Sequence, residues 1–141
     1  MKKTVSTQLT DANIATILSW LTDTPDFLRR ASQSLADDQL RQPLGPGERS
    51  LTQDLAHLIN CEARTSEAIY LALLLGEPLV HNVHPERQLG KLLRVDKLPF
   101  ADLLTYFTLR RRILLNTLNS LTNAQWSRTI QEEGKKRKAE E

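Results

Sequence analysis

This sequence has little of what disulfide scaffolds, membrane spans and phosphate-binding loops require. One of its 141 residues is cysteine, Cys61, so no disulfide can form within the chain. Its five glycines form no phosphate-binding loop, and no nucleophile motif is present. No apolar run approaches the ~20 residues of a membrane span. These absences exclude several enzyme classes and predict no membrane association. They favour a reducing compartment, and we expect the protein in the cytoplasm.

Charge of a single sign is also lacking. The chain has 19 basic and 17 acidic residues, for a net charge of +2, so no strong basic field is expected and no nucleic-acid partner is predicted. The two lysines near the N-terminus are not followed by the apolar stretch of a secretory signal.

Leucine and alanine dominate, aromatic residues make up 5%, and no strand-like alternation is visible, so we predict helices. A first helix should begin at Thr10, a good N-cap. Pro25 then either kinks this helix or restarts it with Thr24 as the cap.

A second helix has clearer ends. Ser50 and Gln53 have the spacing of a capping box, and Gly76 after Leu75 is a typical stop. A third helix should begin near Pro99, because proline is favoured in the first turn. We predict a connector between the second and third helices, with one helical turn near residues 89–93.

Three long apolar stripes predict an all-α, up-down helix bundle with a truncated or missing fourth helix. We expect one helical domain over residues 1–130. Residues 131–141 carry mixed charges and predict a disordered tail.

One carboxylate and one guanidinium fall inside apolar stripes. At about 100° per residue, Glu62 lies among the leucines of the second helix, and Arg111 lies between apolar positions of the third. Burial of either charge alone costs several kcal/mol, so we predict a structural ion pair between them. Arg110 and Arg112 are rival partners, and the alternative is that each side chain extends to the bundle edge.

The histidines are candidate metal ligands. His57 and Cys61, four residues apart, offer two donors to a soft metal, whereas zinc needs at least three protein ligands. His81 and His84 are spaced as chelators in a polar connector, where such pairs are usually solvated. From these residues alone, a partly buried His57 with one hydrogen bond is the favoured interpretation.

Segment 18–62, LSWLTDTPDFLRRASQSLADDQLRQPLGPGERSLTQDLAHLINCE, resembles the opening of the DinB-like (DNA-damage-inducible) four-helix bundle family. Four residues match its W-S…HL…E pattern, namely Ser50, His57, Leu58 and Glu62, while Arg49 stands where the family has tryptophan. Segment 103–128, LLTYFTLRRRILLNTLNSLTNAQWSR, is similar to the family's third helix and L-T…W turn. The resemblance covers roughly residues 10–130.

The resemblance implies that His57 is the first of three metal ligands. In the family the other two are a spaced histidine pair on the fourth helix, but no histidine follows His84 here. Family members resemble metal-dependent enzymes, including thiol-dependent transferases and isomerases. We therefore expect an incomplete site, at which a divalent metal (Zn, Ni or Fe) binds weakly through His57.

Three functions follow as hypotheses. The first is a DinB-like domain that acts by association, as a homodimer or with a partner helix, through an apolar groove left by the fourth helix. The second is a divalent-metal-dependent enzyme whose site is completed by another protomer or by His81 and His84. The third is a helical interaction module unrelated to this family. Whether the chain is an enzyme stays open at this point.

Overall fold

The computed structural model describes residues 6–133. A local side-chain cap sets the start of its first helix. Helix α1 spans Asp11–Ser32, and the Thr10 side chain accepts a hydrogen bond from a backbone N–H of the first turn. The predicted start is confirmed. The helix then continues through Pro25, so a restart with Thr24 as a cap is wrong.

A short helix α2, Asp37–Leu40, precedes the long helix α3, Leu51–Leu74. The Ser50 hydroxyl accepts a hydrogen bond from the Gln53 N–H at 3.1 Å, and the Gln53 side chain accepts one from the Ser50 N–H at 2.9 Å. Both bonds of the predicted capping box are present. The helix also ends where Gly76 predicted a stop.

The connector after α3 has more structure than the predicted single turn. It contains a two-residue strand β1, Leu79–Val80, then an eight-residue helix α4, Pro85–Leu92, then a 3-10 turn at Val95–Lys97. Proline occupies the first position of α4, where its missing N–H costs nothing. The residues near 89–93 are therefore the end of a helix rather than an isolated turn.

Helix α5 spans Phe100–Asn119 and begins directly after Pro99, close to the predicted position. Its first N–H, from Phe100, donates to the Asp37 carboxylate at 2.9 Å, so α2 caps α5. Hydrogen bonds from Arg41 and from this N–H hold the pKa of Asp37 below its ordinary value.

The chain then forms helix α6, Asn123–Trp126, and strand β2, Gln131–Glu132. Strand β2 pairs in parallel with β1, and its first N–H donates to the Pro78 carbonyl at 2.9 Å. The predicted tail, 131–141, therefore begins with a paired strand. Residues 134–141 lie outside the described part, where the expected disorder stays a prediction.

The core lies where α5 packs against α1 and α3, while α4 packs on α3. Two core side chains are fully enclosed, Leu55 of α3 and Phe107 of α5. The rest of the cluster is apolar and joins α2, α3 and α5: Leu40, Ala56, Ile59, Phe100 and Leu103. The predicted all-α helical bundle is confirmed, with long helices of 22, 24 and 20 residues and the shorter α4. The predicted truncated or missing fourth helix stays a prediction.

Among residues 6–133, no helix has the length and apolar character that crossing a membrane requires.

Candidate functional site

A buried ion pair joins α3 to α5. The Arg111 Nε donates to a Glu62 carboxylate oxygen at 2.5 Å, and the two side chains are only 9% and 5% exposed. The guanidinium also lies 4.8 Å from the centre of the Phe107 ring. The structure thus brings together the two residues expected to pair, and neither extends to the bundle edge.

The same guanidinium reaches α1. Pro25 has no N–H, so the carbonyl of Leu21, four residues earlier, lacks its intrahelical donor. The Arg111 Nη1 donates to this carbonyl at 2.8 Å. One side chain therefore supplies the hydrogen bond that proline removes, which explains how α1 continues through Pro25.

The second oxygen of Glu62, Oε2, is buried and has no hydrogen-bond partner within residues 6–133. A buried carboxylate that is only half satisfied depends strongly on its one cationic partner. We call this set, Glu62, Arg111 and the Leu21 carbonyl, the buried clamp.

The rival arginines lie elsewhere. Arg110 hydrogen-bonds the Glu86 carboxylate on α4, the Tyr106 hydroxyl and, at 3.0 Å, the Ser66 hydroxyl. Burial alone would lower the pKa of Arg110, but its bonds to Glu86 and Tyr106 raise it above the ordinary value. Arg112 is exposed on α5. The sequence did not predict Glu86 as the partner of Arg110, because the helical pattern of α4 is too short to place it.

Burial tends to raise the pKa of Glu86, but hydrogen bonds from Arg110 and Tyr106 outweigh it and hold this pKa below its ordinary value. Burial and the bond to Glu86 raise the pKa of Tyr106. We call the Arg110–Glu86 ion pair, to which the Tyr106 hydroxyl is also hydrogen-bonded, the outer pair.

His57 is exposed on α3, so the expected partial burial is wrong, and its Nε2 lies 3.6 Å from the Cys61 sulfur. Both residues line a cavity of about 660 Å³ between α3, α4 and the paired strands. We call this cavity the α3 cavity. It contains His57, which the family resemblance implies to be the first metal ligand.

The other histidines face different groups. His84 is buried, with its Nδ1 3.3 Å from the Glu67 carboxylate on α3, so the expectation that this histidine is solvated is wrong. The backbone N–H of His84 donates a hydrogen bond to the Gln88 side-chain oxygen at 2.6 Å, where α4 begins. The sequence signal for this position was Pro85, which marks His84 as the cap of a helix. His81 is exposed and lies 3.9 Å from Glu133.

Residues 6–133 contain no group of three or more histidine, cysteine or acidic side chains placed to hold a metal ion. His57 and Cys61 provide two donors, fewer than zinc takes from protein. The described residues therefore do not fit a three-histidine centre within one chain.

The bundle, the buried clamp and the α3 cavity define a small helical-bundle domain with an open cavity beside α3. The family model of the DinB superfamily matches residues 7–141, so this chain belongs to the DinB superfamily. The predicted family is confirmed.

The chain is also similar in structure to YfiT from Bacillus subtilis. The TM-score is 0.76 at 18% sequence identity, over 92% of this chain and 73% of YfiT. YfiT is described as a probable metal-dependent hydrolase with an unusual four-helix bundle topology. At this identity the likeness establishes the fold. A search of curated protein sequences found no significant match.

Proposed function

We propose that this domain acts by association, as a homodimer formed at an apolar groove, and carries no intact three-histidine metal centre of its own. The observation that carries the proposal is a groove of about 380 Å³ between α4 and α5. Four leucines contribute to its walls: Leu89, Leu93, Leu98 and Leu103. We call it the α4–α5 groove.

Two leucines of the groove are exposed to solvent. Leu89 and Leu93, which line it at the end of α4, are 52% and 71% exposed. Exposed leucines one helical turn apart in an apolar groove favour burial against another surface, because removing their area from water is favourable by about 25 cal/mol per Å².

Charge around the groove favours a second copy over an unrelated helix. Asp102 lines the groove from α5, and Lys91 directly follows Gly90, which lines it from α4. Neither has an ion-pair partner among residues 6–133. A two-fold interface that sets Lys91 of one protomer against Asp102 of the other would make this surface self-complementary.

The positions of the histidines support the proposed lack of an intact three-histidine metal centre. The chain has three, and each faces a different group: His57 faces Cys61, His84 faces Glu67 and His81 faces Glu133.

The test is the mass in solution, from size-exclusion chromatography with light scattering. We expect a dimer for the wild type and a monomer for Leu89→Glu and Leu93→Glu, which change exposed residues of the groove lining. Leu44→Glu is the matched control, because Leu44 is 59% exposed and does not line the groove. A wild-type monomer at high concentration, or dissociation by Leu44→Glu as well, would contradict the proposal.

The alternative is a metal-dependent enzyme of the thiol-transferase or isomerase kind, completed by another protomer or by His81 and His84. The position of His57 and Cys61 on a cavity favours it, as does the description of YfiT. Elemental analysis of the purified protein separates the two. We expect zinc, nickel and iron well below one atom per chain, unchanged in His57→Ala. One metal per chain, lost in His57→Ala, would establish the alternative.

A further inference from the structure

The α3 cavity has the size and the mixed lining of a small-molecule site. Its volume of about 660 Å³ lies inside the range of roughly 300–1,000 Å³ that ligand pockets occupy. Apolar and small side chains make up much of its wall: Ala68, Ile69 and Ala72 from α3, with Val80 and Ile130 near the paired strands. Such a wall suits the apolar body of an organic molecule.

Three arginines from different segments converge on this cavity. Arg64 comes from α3, Arg87 from α4 and Arg128 from the chain after α6, while Glu132 is the acidic residue in the lining. Cations that share a concave surface with one acid create a local positive potential, although the whole chain is nearly neutral. The composition alone could not reveal this concentration of charge.

The three guanidinium groups differ in their hydrogen bonding. Arg128 is engaged, since its Nη1 donates to the carbonyls of Ala72, Leu73 and Leu75 at 3.2–3.3 Å and caps the end of α3. Arg64 and Arg87 make no ion pair or side-chain hydrogen bond among residues 6–133. Their donors are therefore available to a ligand.

We infer that the α3 cavity binds a small organic anion, with a carboxylate or phosphate head and an apolar body. The planar guanidinium groups of Arg64 and Arg87 hold the head, because guanidinium matches carboxylate and phosphate in bidentate geometry. The apolar wall from Ala68 to Ala72 holds the body. The inference does not depend on the association proposed at the α4–α5 groove.

The binding test is isothermal titration calorimetry with phenyl phosphate and 4-phenylbutyrate, against the uncharged 4-phenylbutanol. We expect saturable binding of at least one anion and much weaker binding of the alcohol. Arg64→Gln and Arg87→Gln should each weaken that binding by about tenfold, the typical effect of losing a charged hydrogen bond. The matched control is Arg30→Gln, which removes the same charge from an exposed site on α1.

A second measurement locates the ligand in the wild type without any variant. Amide chemical shifts should change along α3 at Arg64–Ala72 and not along the leucines of the α4–α5 groove. Four results would overturn the inference: no saturable binding of either anion, equal binding of the alcohol, an equal loss in Arg30→Gln, or shifts confined to the α4–α5 groove. Dimerisation measured on the same samples reports separately on the proposed association.

Discussion

The buried clamp and the outer pair are built on consecutive residues of α5, yet their surroundings differ. Arg111 points between α1 and α3, and its side chain and that of Glu62 are 9% and 5% exposed. Arg110 points toward α4, and its partner Glu86 is 44% exposed. A step of about 100° around the helix thus separates a core contact from a surface contact.

The contribution of an ion pair to the free energy of unfolding therefore depends on how deeply the pair is buried. Two charges taken out of water each lose several kcal/mol of solvation, so a buried pair depends on mutual attraction and on further hydrogen bonds. A half-exposed pair loses less solvation and is screened by water and salt, so it contributes about 0–1 kcal/mol. From these two environments we expect four effects of decreasing size.

The largest effect should come from opening the buried clamp. Glu62→Leu or Arg111→Met leaves one buried charge without its partner, and each should lower the free energy of unfolding by about 3–5 kcal/mol. The double variant should lose much less than the sum, because no charge is then stranded. Urea unfolding of the four proteins measures this. Additive losses would show that the two residues are not coupled.

The second effect tests the link from the clamp to Pro25. Pro25→Ala restores the N–H that bonds the Leu21 carbonyl within α1, so the bond from Arg111 is no longer needed there. Arg111→Met should therefore cost about 1 kcal/mol less in the Pro25→Ala background than in the wild type. The same unfolding measurements give this coupling. An equal loss of stability in both backgrounds would show that the contribution of Arg111 does not depend on Pro25.

The third effect concerns the pH dependence of the outer pair. The pKa of Glu86 is lowered from its ordinary value of 4.5, so its contribution is present above that pH and is lost as pH falls through the folded-state pKa. Glu86→Gln should reduce stability by about 1 kcal/mol or less near neutral pH and flatten the acid limb of the stability profile. Glu77→Gln, an exposed site without an ion pair in the described range, is the control. A profile as steep as the wild type's would contradict the prediction.

The smallest effect should be at the α3 cavity. Arg64 and Arg87 have no partner to lose within residues 6–133, so Arg64→Gln and Arg87→Gln should change stability by no more than about 0.5 kcal/mol. Thermal unfolding of both variants checks this. A loss comparable with that of the outer pair would mean that these arginines support the fold rather than face a ligand.

Several features could be predicted because they depend on residues close together in the chain. The Thr10 cap and the Ser50–Gln53 capping box use side chains within one turn of the helix start, so their signals are local. The proximity of Glu62 and Arg111 followed from helical spacing, since each position fell inside an apolar stripe. Burial of a charge then required an opposite charge nearby.

Other features depend on contacts between distant segments. The continuation of α1 through Pro25 needs a donor from α5, 90 residues away from Leu21. The pairing of β1 with β2 involves two residues on each side, too few for any alternation in sequence. The burial of His84 against Glu67 follows from the docking of α4 on α3, which the sequence did not reveal.

The sequence alone predicted the helical class, the starts of α1, α3 and α5, the end of α3 and the family resemblance. It also predicted that Glu62 and Arg111 would each need an opposite charge nearby. Those properties follow from periodicity, capping and desolvation, which act over one or two turns. Only the tertiary structure decided which arginine pairs with Glu62, where Glu86 docks, and that Arg64, Arg87 and Arg128 share one cavity. The physical reason is that helix packing sets these distances, and no local pattern encodes how α4 and the strands fold back onto α3.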